Sequence, residues 1–417
     1  MTPQPLVDSP TASAYLLDVT RSLRRAGRLP TGVDRVERAY LRALLDQDRL
    51  VFGLVRTRLG YLLLDRAGLQ HLQDRLEGRL PWGRLGALAL IGRGDSVRRR
   101  AESSLRRDAI ARGVPRRLPA MLARHLPQGV SYVNVGHSNL TDRVLQAVKA
   151  QGARVVVLLH DLIPLTHPET QRPETAERFA SKVERVRKHS DLILCNSIAT
   201  EAEVVTHMAK AGAVPPCLVA PLGVEMQDVA VEPFEMPDGF DPAIPHVIIL
   251  GTIEPRKNHV MLLDIWDHLI ADRVPLQLVI CGQRGWISAA VMDRLDQVRD
   301  RGFPVFELSG LSDGGIAHVM EGAVALLFPS LAEGYGLPAI EARARGCPVI
   351  CSDLPVFREV LGNNAVYLPV NDQYSWTIKM TELAHPPQAD PHLNRSELAR
   401  FVPPSWQEHF NVVLRRL

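Results

Sequence analysis

Short apolar segments alternate with amphipathic segments along most of this 417-residue chain, and this alternation narrows the folds that it can adopt. Strand-like runs such as Val155–Leu159 and Leu276–Cys281 are each followed by a segment with helical spacing of apolar residues, such as Glu174–Lys188 and Ala289–Arg299. The other predicted strands are Tyr15–Val19, Val51–Val55, Tyr61–Leu64, Tyr132–Val135, Leu192–Cys195, Leu218–Ala220, Val247–Leu250, Val305–Leu308, Ala325–Phe328, Val349–Cys351 and Val366–Leu368. Strands that alternate with helices are typical of βαβ units, so the sequence predicts an α/β protein with doubly wound parallel sheets.

The length of the chain exceeds one ordinary hydrophobic core, so two domains are expected. An acidic, proline-containing stretch without periodicity at 224–245 indicates the linker between them. We predict an N-terminal, acceptor-side Rossmann-like domain over 1–223, with a strand-free helical insertion at 66–128. A C-terminal donor domain is predicted over 246–400, and 401–417 should form an amphipathic helix that crosses back to the N-terminal domain.

Composition is that of a globular protein, with 46% hydrophobic and 23% charged residues. No apolar run approaches the roughly 20 residues that cross a bilayer, and the N-terminus lacks the features of a secretory signal. The five cysteines show no metal-ligand spacing, so they are expected to be reduced and buried. These features predict a cytoplasmic protein.

The net charge of +3 conceals a basic N-terminal part, because residues 1–125 contain 24 arginines, no lysine and 12 acidic residues. The densest stretch, Arg93–Arg124, would attract phosphates or the anionic inner face of the cell membrane, where the protein would then be peripheral. A solvated helical face explains this stretch equally well. Nucleic acid is not expected as a partner, because no nucleic-acid motif or aromatic interleaving accompanies the arginines.

Glycines, cations and carboxylates directly follow the predicted strands of the C-terminal half. Ligands of open parallel sheets bind beyond the carboxyl ends of the strands, so these residues are candidates for one donor site. They are Gly251, Thr252, Arg256, Lys257, Gly282, Arg284, Gly310, Glu333, Gly334, Tyr335, Gly336 and Leu337, with Glu341 on the helix that follows.

Arg256 and Lys257 are adjacent cations at a strand end, which suits them to a diphosphate. Fixed cations at that place would stabilise the charge that develops on a nucleoside diphosphate leaving group. An ordinary exposed basic pair is the alternative, but the tight turn between Pro255 and Asn258 favours function.

Gly334 and Gly336 precede a helix that Pro338 opens, and backbone N–H groups there could hold phosphate. Glu333 could accept hydrogen bonds from sugar hydroxyls, and Glu341 from ribose hydroxyls. Alone, Glu341 would be explained as a first-turn residue favoured by the helix dipole. The combination of both carboxylates with the glycines favours a site.

Candidate acceptor-side residues lie at strand ends of the N-terminal half and at the start of its first long helix. His160 follows Val155–Leu159 and is a candidate to bond a donor hydroxyl or to act on an acceptor proton. The candidates for acceptor contacts are Gly32, Arg35, His137, Asp161 and Asn196. Loop capping and a simple helix start are the structural alternatives for these residues.

Two common nucleotide-binding motifs are missing from the sequence. It contains no GxGxxG after the first strand and no GxxxxGK[ST], so dinucleotide chemistry and a P-loop are not expected. The Asp-x-Asp at Asp46–Asp48 ends a surface-like helix rather than a strand. We therefore predict neither a metal site nor a cofactor.

Three segments of the C-terminal half together resemble retaining glycosyltransferase family 4. They are GTIEPRKNH at 251–259, CGQRGW at 281–286, and FPSLAEGYGLPAIEARARGCPVICSDLPVFREV at 328–360, which contains the two glutamates in an E-x7-E arrangement. The resemblance implies the GT-B fold, in which two Rossmann-like domains face each other across a cleft. It further implies metal-independent sugar transfer with retention, by front-face attack that the donor diphosphate stabilises.

The same resemblance implies roles for single residues. Arg256 and Lys257 would bind the donor diphosphate, Glu341 the nucleotide ribose, and Glu333 and His160 would lie near the transferred sugar. The implied substrates are a nucleotide-sugar donor and a glycan or lipid-linked acceptor in bacterial surface polysaccharide or lipopolysaccharide synthesis.

Two other functions are compatible with the fold. A catalytically silent nucleotide-sugar-binding scaffold of a polysaccharide assembly complex would not need Arg256, Lys257, Glu333 and Glu341 together. A sugar phosphorylase or epimerase gains no support, because neither a cofactor lysine site nor a second carboxylate pair is apparent in the sequence.

Overall fold

A computed structural model describes residues 12–87, 95–225, 235–287, 289–385 and 401–417. Within them the chain divides into two compact units, each with one β-sheet. The first unit lies within Met1–Leu162, Glu177–Leu222 and Trp406–Leu417, and the second within Ile163–Ala176 and Gly223–Ser405.

The first unit contains eight strands in the order β4-β3-β2-β1-β5-β6-β7-β8. They are β1 (Ala14–Asp18), β2 (Leu50–Thr57), β3 (Gly60–Leu64), β4 (Ala111–Gly113), β5 (Val130–Asn134), β6 (Arg154–Leu159), β7 (Leu192–Cys195) and β8 (Cys217–Val219). The helices up to residue 209 are α1 (Thr20–Arg25), α2 (Gly32–Leu45), α3 (Arg66–Leu76), α4 (Ser96–Asp108), α5 (Leu118–His125), α6 (Asp142–Lys149), α7 (Ile163–Thr166), α8 (Thr175–His189) and α9 (Ile198–Ala209).

Two features at the edge of this sheet differ from the prediction. β3 is antiparallel to β2, because a turn of two residues, 58 and 59, joins them into a hairpin. The insertion at 66–128 is not free of strands, since β4 lies within it and pairs antiparallel with β3. The three residues of β4, Ala-Arg-Gly, have no apolar alternation by which a strand could have been predicted.

The second unit contains six parallel strands in the order β11-β10-β9-β12-β13-β14. They are β9 (His246–Leu250), β10 (Gln277–Cys281), β11 (Val305–Leu308), β12 (Ala325–Phe328), β13 (Val349–Ser352) and β14 (Val366–Leu368). The helices are α10 (His259–Ala271), α11 (Ala289–Asp300), α12 (Asp313–Gly322), α13 (Leu337–Ala344), α14 (Pro355–Leu361) and α15 (Gln373–Ala384). Counted within the unit, the strand order is 3-2-1-4-5-6. The direction in which successive strands are added to the sheet therefore reverses between β9 and β12, and open sheets of this kind bind ligands at such a point.

The central strands β9 and β12 are buried along their whole length, as expected for parallel strands with helices on both faces. Trp266 of α10 and Trp376 of α15 are fully buried in the core on this sheet. Apolar packing therefore fixes where β9 and β12 end, and with them the loops that follow.

The final helix, α16 (Trp406–Val413), packs in the first unit. Its Phe410 ring lies 5.0 Å from the Tyr40 ring of α2, and the Tyr40 hydroxyl is 2.8 Å from His409 Nε2. Burial of these aromatic groups attaches α16 to α2.

Several boundaries differ from the sequence expectation or are left open. Ile163–Ala176 groups with the second unit, although the sequence places it within 1–223. Residues 226–234 of the predicted linker and 386–400 at the end of the predicted donor domain lie outside the described residues. The five cysteines are buried and free of disulfides, as predicted. Of the helices that the structure describes, none is long and apolar enough to span a bilayer.

Candidate active site

The loops that carry the predicted donor-site residues follow β9 and β12, on either side of the point where the chain reverses. After β9, a 3-10 turn at Pro255–Lys257 ends on Asn258, which has a left-handed φ of 57°. The backbone amide of Leu331 donates a hydrogen bond of 2.8 Å to the Arg256 carbonyl. This bond joins the two loops, which lie far apart in the sequence.

Glu333 lies between the two predicted phosphate-binding cations. Its Oε1 is 2.6 Å from Lys257 Nζ and 2.7 Å from Arg256 NH1, and it accepts a hydrogen bond of 2.8 Å from Ser330 Oγ. Arg256 Nε is also 2.6 Å from Glu254 Oε1. Of the four residues predicted to take part in catalysis, Arg256, Lys257, Glu333 and His160, the first three therefore form one cluster.

The charges of this cluster are largely shielded from water. Burial raises the pKa of Glu333, but Arg256 and Lys257 lower it to about 2, so the carboxylate is ionised at neutral pH. Burial lowers the pKa of the Lys257 ammonium, and Glu333 counteracts that effect. The Lys257 ammonium also lies 4.0 Å from the centroid of the Phe328 ring, a cation–π contact. With Glu254, two cations face two carboxylates, so an anionic ligand would compete with those carboxylates.

Arg284, the third predicted donor-site cation, follows β10 at the same edge of the sheet. Its guanidinium forms a two-pronged contact with Glu307 of β11, at 2.8 and 2.6 Å, and lies 2.7 Å from Asp296 of α11. These carboxylates raise its pKa. In this arrangement the side chain bridges β11 and α11, and its contact with the donor stays a prediction.

The loop after β12 leads into α13 through Gly336. Gly336 has a φ of 88° and caps the helix, and a Cβ there would lie 2.6 Å from the Phe357 ring, so the position requires glycine. Pro338 lies in the first turn. Glu341 does not, because the helix begins at Leu337 and Glu341 is its fifth residue. The dipole explanation for Glu341 is therefore wrong.

The remaining predicted donor-site residues lie at the same edge of the second sheet. Thr252 follows β9, Gly282 follows β10, and Gly310 follows β11. Gly251 packs closely against Lys257, because a Cβ at residue 251 would be 3.2 Å from the Cε of that lysine. Gly334 and Tyr335 belong to the loop between β12 and α13, and Tyr335 is buried.

In the first unit the structure brings His137 and His160 together. Their ring centroids are 5.0 Å apart, and burial lowers both pKa values, that of His160 to about 4. His160 Nε2 is 2.7 Å from the Val135 carbonyl, and His137 Nε2 is 2.8 Å from the Leu158 carbonyl. A carbonyl oxygen only accepts, so each Nε2 carries the proton and each Nδ1 is left as an acceptor.

The other predicted acceptor-side residues also have structural roles. The Asn196 side chain donates to the His160 carbonyl at 2.9 Å. Gly32 is the first residue of α2, and Arg35 belongs to its first turn, where Thr31 and Asp34 form a capping box. Asp161 directly follows His160, half-buried at the carboxyl end of β6.

Sequence reasoning missed a second layer around these histidines. Arg21 of α1 lies close enough to lower the pKa of both His137 and His160, and it pairs with Asp34 at 2.6 Å. Glu37 of α2 is buried and accepts hydrogen bonds from the Ser22 amide and hydroxyl at 2.7 and 2.6 Å. Arg21 lies three residues after the end of β1, so its place near a strand end could have indicated it, whereas Glu37 lies inside a helix.

Comparison with known proteins agrees with this geometry. Residues 239–395 match the family described as Glycosyl transferases group 1. The matched residues all lie in the second unit. The serotype-specific mannosyltransferase WbdA of Escherichia coli is 29% identical over 235 residues, and the O-antigen chain mannosyltransferase RfbU of Salmonella typhimurium is 34% identical over 153 residues.

A structural match extends over both units. Anabaena HepE in complex with UDP and glucose is 15% identical, with a TM-score of 0.60 over 97% of both chains. The fold is therefore that of the GT-B glycosyltransferases, as predicted. The sequence matches cover 54% of this chain and 29% of WbdA, and 36% of this chain and 41% of RfbU, so the chain spans less than half of either relative in the aligned part.

Proposed function

We propose that the protein is a retaining, metal-independent glycosyltransferase that moves a sugar from a nucleoside diphosphate sugar to a glycan or lipid-linked acceptor in bacterial surface polysaccharide synthesis. The observation that carries the proposal is the cluster of Arg256, Lys257 and Glu333 at the carboxyl ends of β9 and β12. Two fixed cations there suit a diphosphate. The match of this unit to the group 1 glycosyl transferases supports the same chemistry.

In the proposed reaction, an acceptor hydroxyl oxygen bonds to the anomeric carbon of the sugar while the bond from that carbon to the diphosphate breaks. The diphosphate keeps the electron pair and takes the acceptor proton on the same face, so the sugar retains its configuration. Arg256 and Lys257 stabilise the charge on the diphosphate, a role that divalent metals fill in other enzymes. Glu333 is ionised, with a pKa of about 2, so it is suited to accept hydrogen bonds from sugar hydroxyls rather than to donate a proton.

The related proteins supply a candidate for the sugar and the pathway class. WbdA and RfbU are both named mannosyltransferases, and RfbU acts on the O-antigen chain. We therefore propose a mannose-like sugar as the first donor to test, and an oligosaccharide of the surface-polysaccharide type as acceptor. His160 belongs to this proposal as a neutral residue near the sugar, whose Nδ1 can accept a hydroxyl hydrogen bond.

The proposal includes cytoplasmic location with peripheral attachment to the inner face of the membrane through the stretch Arg93–Arg124. Several arginines of this stretch are exposed: Arg100, Arg107, Arg112, Arg116, Arg117 and Arg124. Arg106 is instead half-buried and donates to Glu102 and Thr57. Flotation with anionic liposomes tests the attachment, and absence of binding at low salt would contradict it.

Thermal shift with UDP, GDP, dTDP, ADP and CMP, with and without EDTA, tests the donor site. A ligand that binds the folded protein raises the melting temperature by mass action. We expect one diphosphate to do so in EDTA, and Arg256→Ala/Lys257→Ala to lose the shift. Arg294→Ala is the matched control, because Arg294 is a cation of the same unit that pairs with Asp264 and Asp267 on its surface.

Activity is then measured as nucleotide release from the matching sugar donor, beginning with GDP-mannose. Release that depends on Arg256 and Lys257 supports the enzyme. Binding without release from any donor, with or without an oligosaccharide acceptor, would favour the silent scaffold instead. An unchanged thermal shift in the double variant would reject the donor-site assignment.

A further inference from the structure

We infer that the first unit carries a phosphate-binding subsite formed by Arg24, Arg56 and Arg98, which recognises a phosphate ester on the acceptor. This inference deepens the proposed function and rests on it only where it assigns the phosphate to the acceptor. Phosphate binding itself is independent of the donor site, because the three arginines lie in the first unit and Arg256 and Lys257 lie in the second.

Three elements bring these arginines together at the carboxyl edge of the first sheet. Arg24 lies on α1, which begins two residues after β1 ends. Arg56 lies at the end of β2, and its backbone amide donates a hydrogen bond of 3.0 Å to Thr20 Oγ1, the first residue of α1. β1 and β2 are parallel neighbours, so both contribute to the same edge.

The third arginine comes from the predicted insertion. Arg98 lies in the first turn of α4, where its amide donates to the side chain of the capping Asp95 at 2.8 Å. The neighbouring Val97 packs on the loop after α1, so closely that a Cβ on Gly27 would be 2.6 Å from Val97 Cγ1. The insertion therefore extends the edge of the sheet and adds a cation to it.

Arg56 and Arg98 lie close enough to Arg24 for their charges to act on its guanidinium group. The Arg24 side chain reaches solvent, but the protein around it removes part of its hydration and lowers its pKa, and the charges of Arg56 and Arg98 lower it further. The charge of Asp18 opposes this effect, but Asp18 is buried and already accepts hydrogen bonds from the Thr20 amide, Tyr132 and Asn139. Burial also raises the pKa of Asp18.

Within the described part of the chain, none of these three guanidinium groups lies within 4.0 Å of a carboxylate oxygen. Other arginines on the same elements do have such partners: Arg21 and Arg25 of α1 pair with Asp34, and Arg106 of α4 pairs with Glu102. A cluster of like charges without a counterion costs folding free energy. Its presence beside paired arginines indicates that a ligand supplies the negative charge.

The chemistry of the cluster favours phosphate. Guanidinium groups bind phosphate oxygens in a bidentate way, and three of them suit a tetrahedral dianion better than a single carboxylate. Arg24 and Arg56 are exposed and Arg98 is half-buried, so the group is open to a ligand. It also lies beside β1, at the edge where open α/β sheets bind ligands.

Isothermal titration at low salt with glycerol 3-phosphate and inorganic phosphate tests the subsite, with sodium chloride at matched ionic strength as reference. We expect saturable binding that Arg24→Gln/Arg56→Gln weakens at least about tenfold, since each lost charged hydrogen bond is worth roughly one decade. Arg98→Gln should act in the same direction. Arg143→Gln, an exposed arginine of α6, is the matched control and should bind as the native protein does.

Vesicles with and without phosphatidic acid distinguish the source of the phosphate. Binding that requires phosphatidic acid and the three arginines indicates a lipid headgroup, whereas binding of the soluble esters alone indicates a phosphorylated sugar. Either outcome supports the subsite. It is overturned if salt reproduces the response or if the double variant binds both probes like the native protein. The nucleotide should raise the melting temperature of Arg24→Gln/Arg56→Gln as much as that of the native protein. Loss of this thermal shift would mean that donor binding has failed, and it is distinguished in this way from loss of the phosphate subsite.

Discussion

Glu333 shows what a single buried residue does in this protein. Its carboxylate contacts Arg256, Lys257 and Ser330 at 2.6 to 2.8 Å, so together with Glu254 it balances the charges of two neighbouring cations. The same cations are the ones we propose for the donor diphosphate. Without a ligand, the carboxylate therefore supplies negative charge that a bound diphosphate would also supply.

Glu333→Ala should lower the free energy of unfolding by about 3–5 kcal/mol, because it leaves Lys257 buried without its partner. The nucleoside diphosphate that the thermal-shift screen identifies should stabilise this variant more than it stabilises the native protein, since it restores the missing charge. Urea unfolding with and without that nucleotide measures both effects. Asp353→Ala, which breaks the exposed pair with Arg358, is the control and should cost less than about 1 kcal/mol. Equal nucleotide effects in variant and native protein would contradict the argument.

Glu37 should make stability depend on pH. Burial raises the pKa of its carboxyl group to about 8, against an ordinary value of 4.5, so the folded state holds a proton that the unfolded state releases. Stability is then complete below pH 4.5 and falls as pH rises towards 8. Glu37→Gln should flatten this slope while Glu169→Gln, an exposed control, should not. Urea titrations between pH 5 and 8 measure the free energy of unfolding. If both variants keep the pH slope of the native protein, Glu37 is not its cause.

At the residue scale, the sequence predicts that Arg256, Lys257 and Glu333 belong to one site, because each follows a strand whose carboxyl end is evident from its apolar pattern. It does not predict that Glu37 is buried against Ser22 of another helix, because a glutamate inside an amphipathic helix is ordinarily exposed. The pairing of Arg284 with Glu307 is equally hidden, since it depends on the neighbouring position of β10 and β11.

At the scale of elements, the glycine that caps α13 meets two structural requirements at once. Gly336 has a left-handed backbone, and its missing side chain leaves room for the Phe357 ring of α14. This packing fixes the direction in which α13 leaves the loop, and therefore where its first amide groups and Glu341 lie. The glycine-rich pattern is evident in the sequence, but the ring that requires it is not.

Gly336→Ala should cost about 2–4 kcal/mol and reduce nucleotide binding, because the backbone strain is added to a clash with Phe357. Gly302→Ala is a matched control: it also has a positive φ, of 66°, but a Cβ there meets nothing within 4 Å. The control should cost only about 1–2 kcal/mol and leave nucleotide binding intact. Equal costs for the two variants, measured by urea unfolding, would show that packing against Phe357 plays no part.

For the whole molecule, the sequence predicts every strand of the second sheet to within one residue, because parallel strands covered on both faces appear as uninterrupted apolar runs. It does not predict the order β11-β10-β9-β12-β13-β14, which rests on pairing between strands distant in the chain. The first sheet is less predictable. Its hairpin edge and the three-residue β4 carry no such pattern.

The packing of α16 on α2 should be a main support of the first unit. Phe410→Ala removes a buried ring that contacts Tyr40 and Trp406, so it should lower the stability of that unit by about 3 kcal/mol. Scanning calorimetry should show an earlier transition for the first unit, while the nucleotide-dependent transition of the second is unchanged. Val412→Ala, on the exposed side of the same helix, should have little effect. A single shifted transition would indicate that the two units unfold together.

The position of α16 also sets an order for biosynthesis. The ribosome makes the strands of the first unit, then residues 223–405 of the second unit, and only afterwards the helix that covers Tyr40. A nascent chain of this protein therefore carries an unfinished apolar surface on its first half throughout the synthesis of its second half. The second unit, continuous over Gly223–Ser405 apart from one short segment made earlier, can close first. The second unit, most of which is translated after the strands of the first, can therefore reach its native structure before the first unit does.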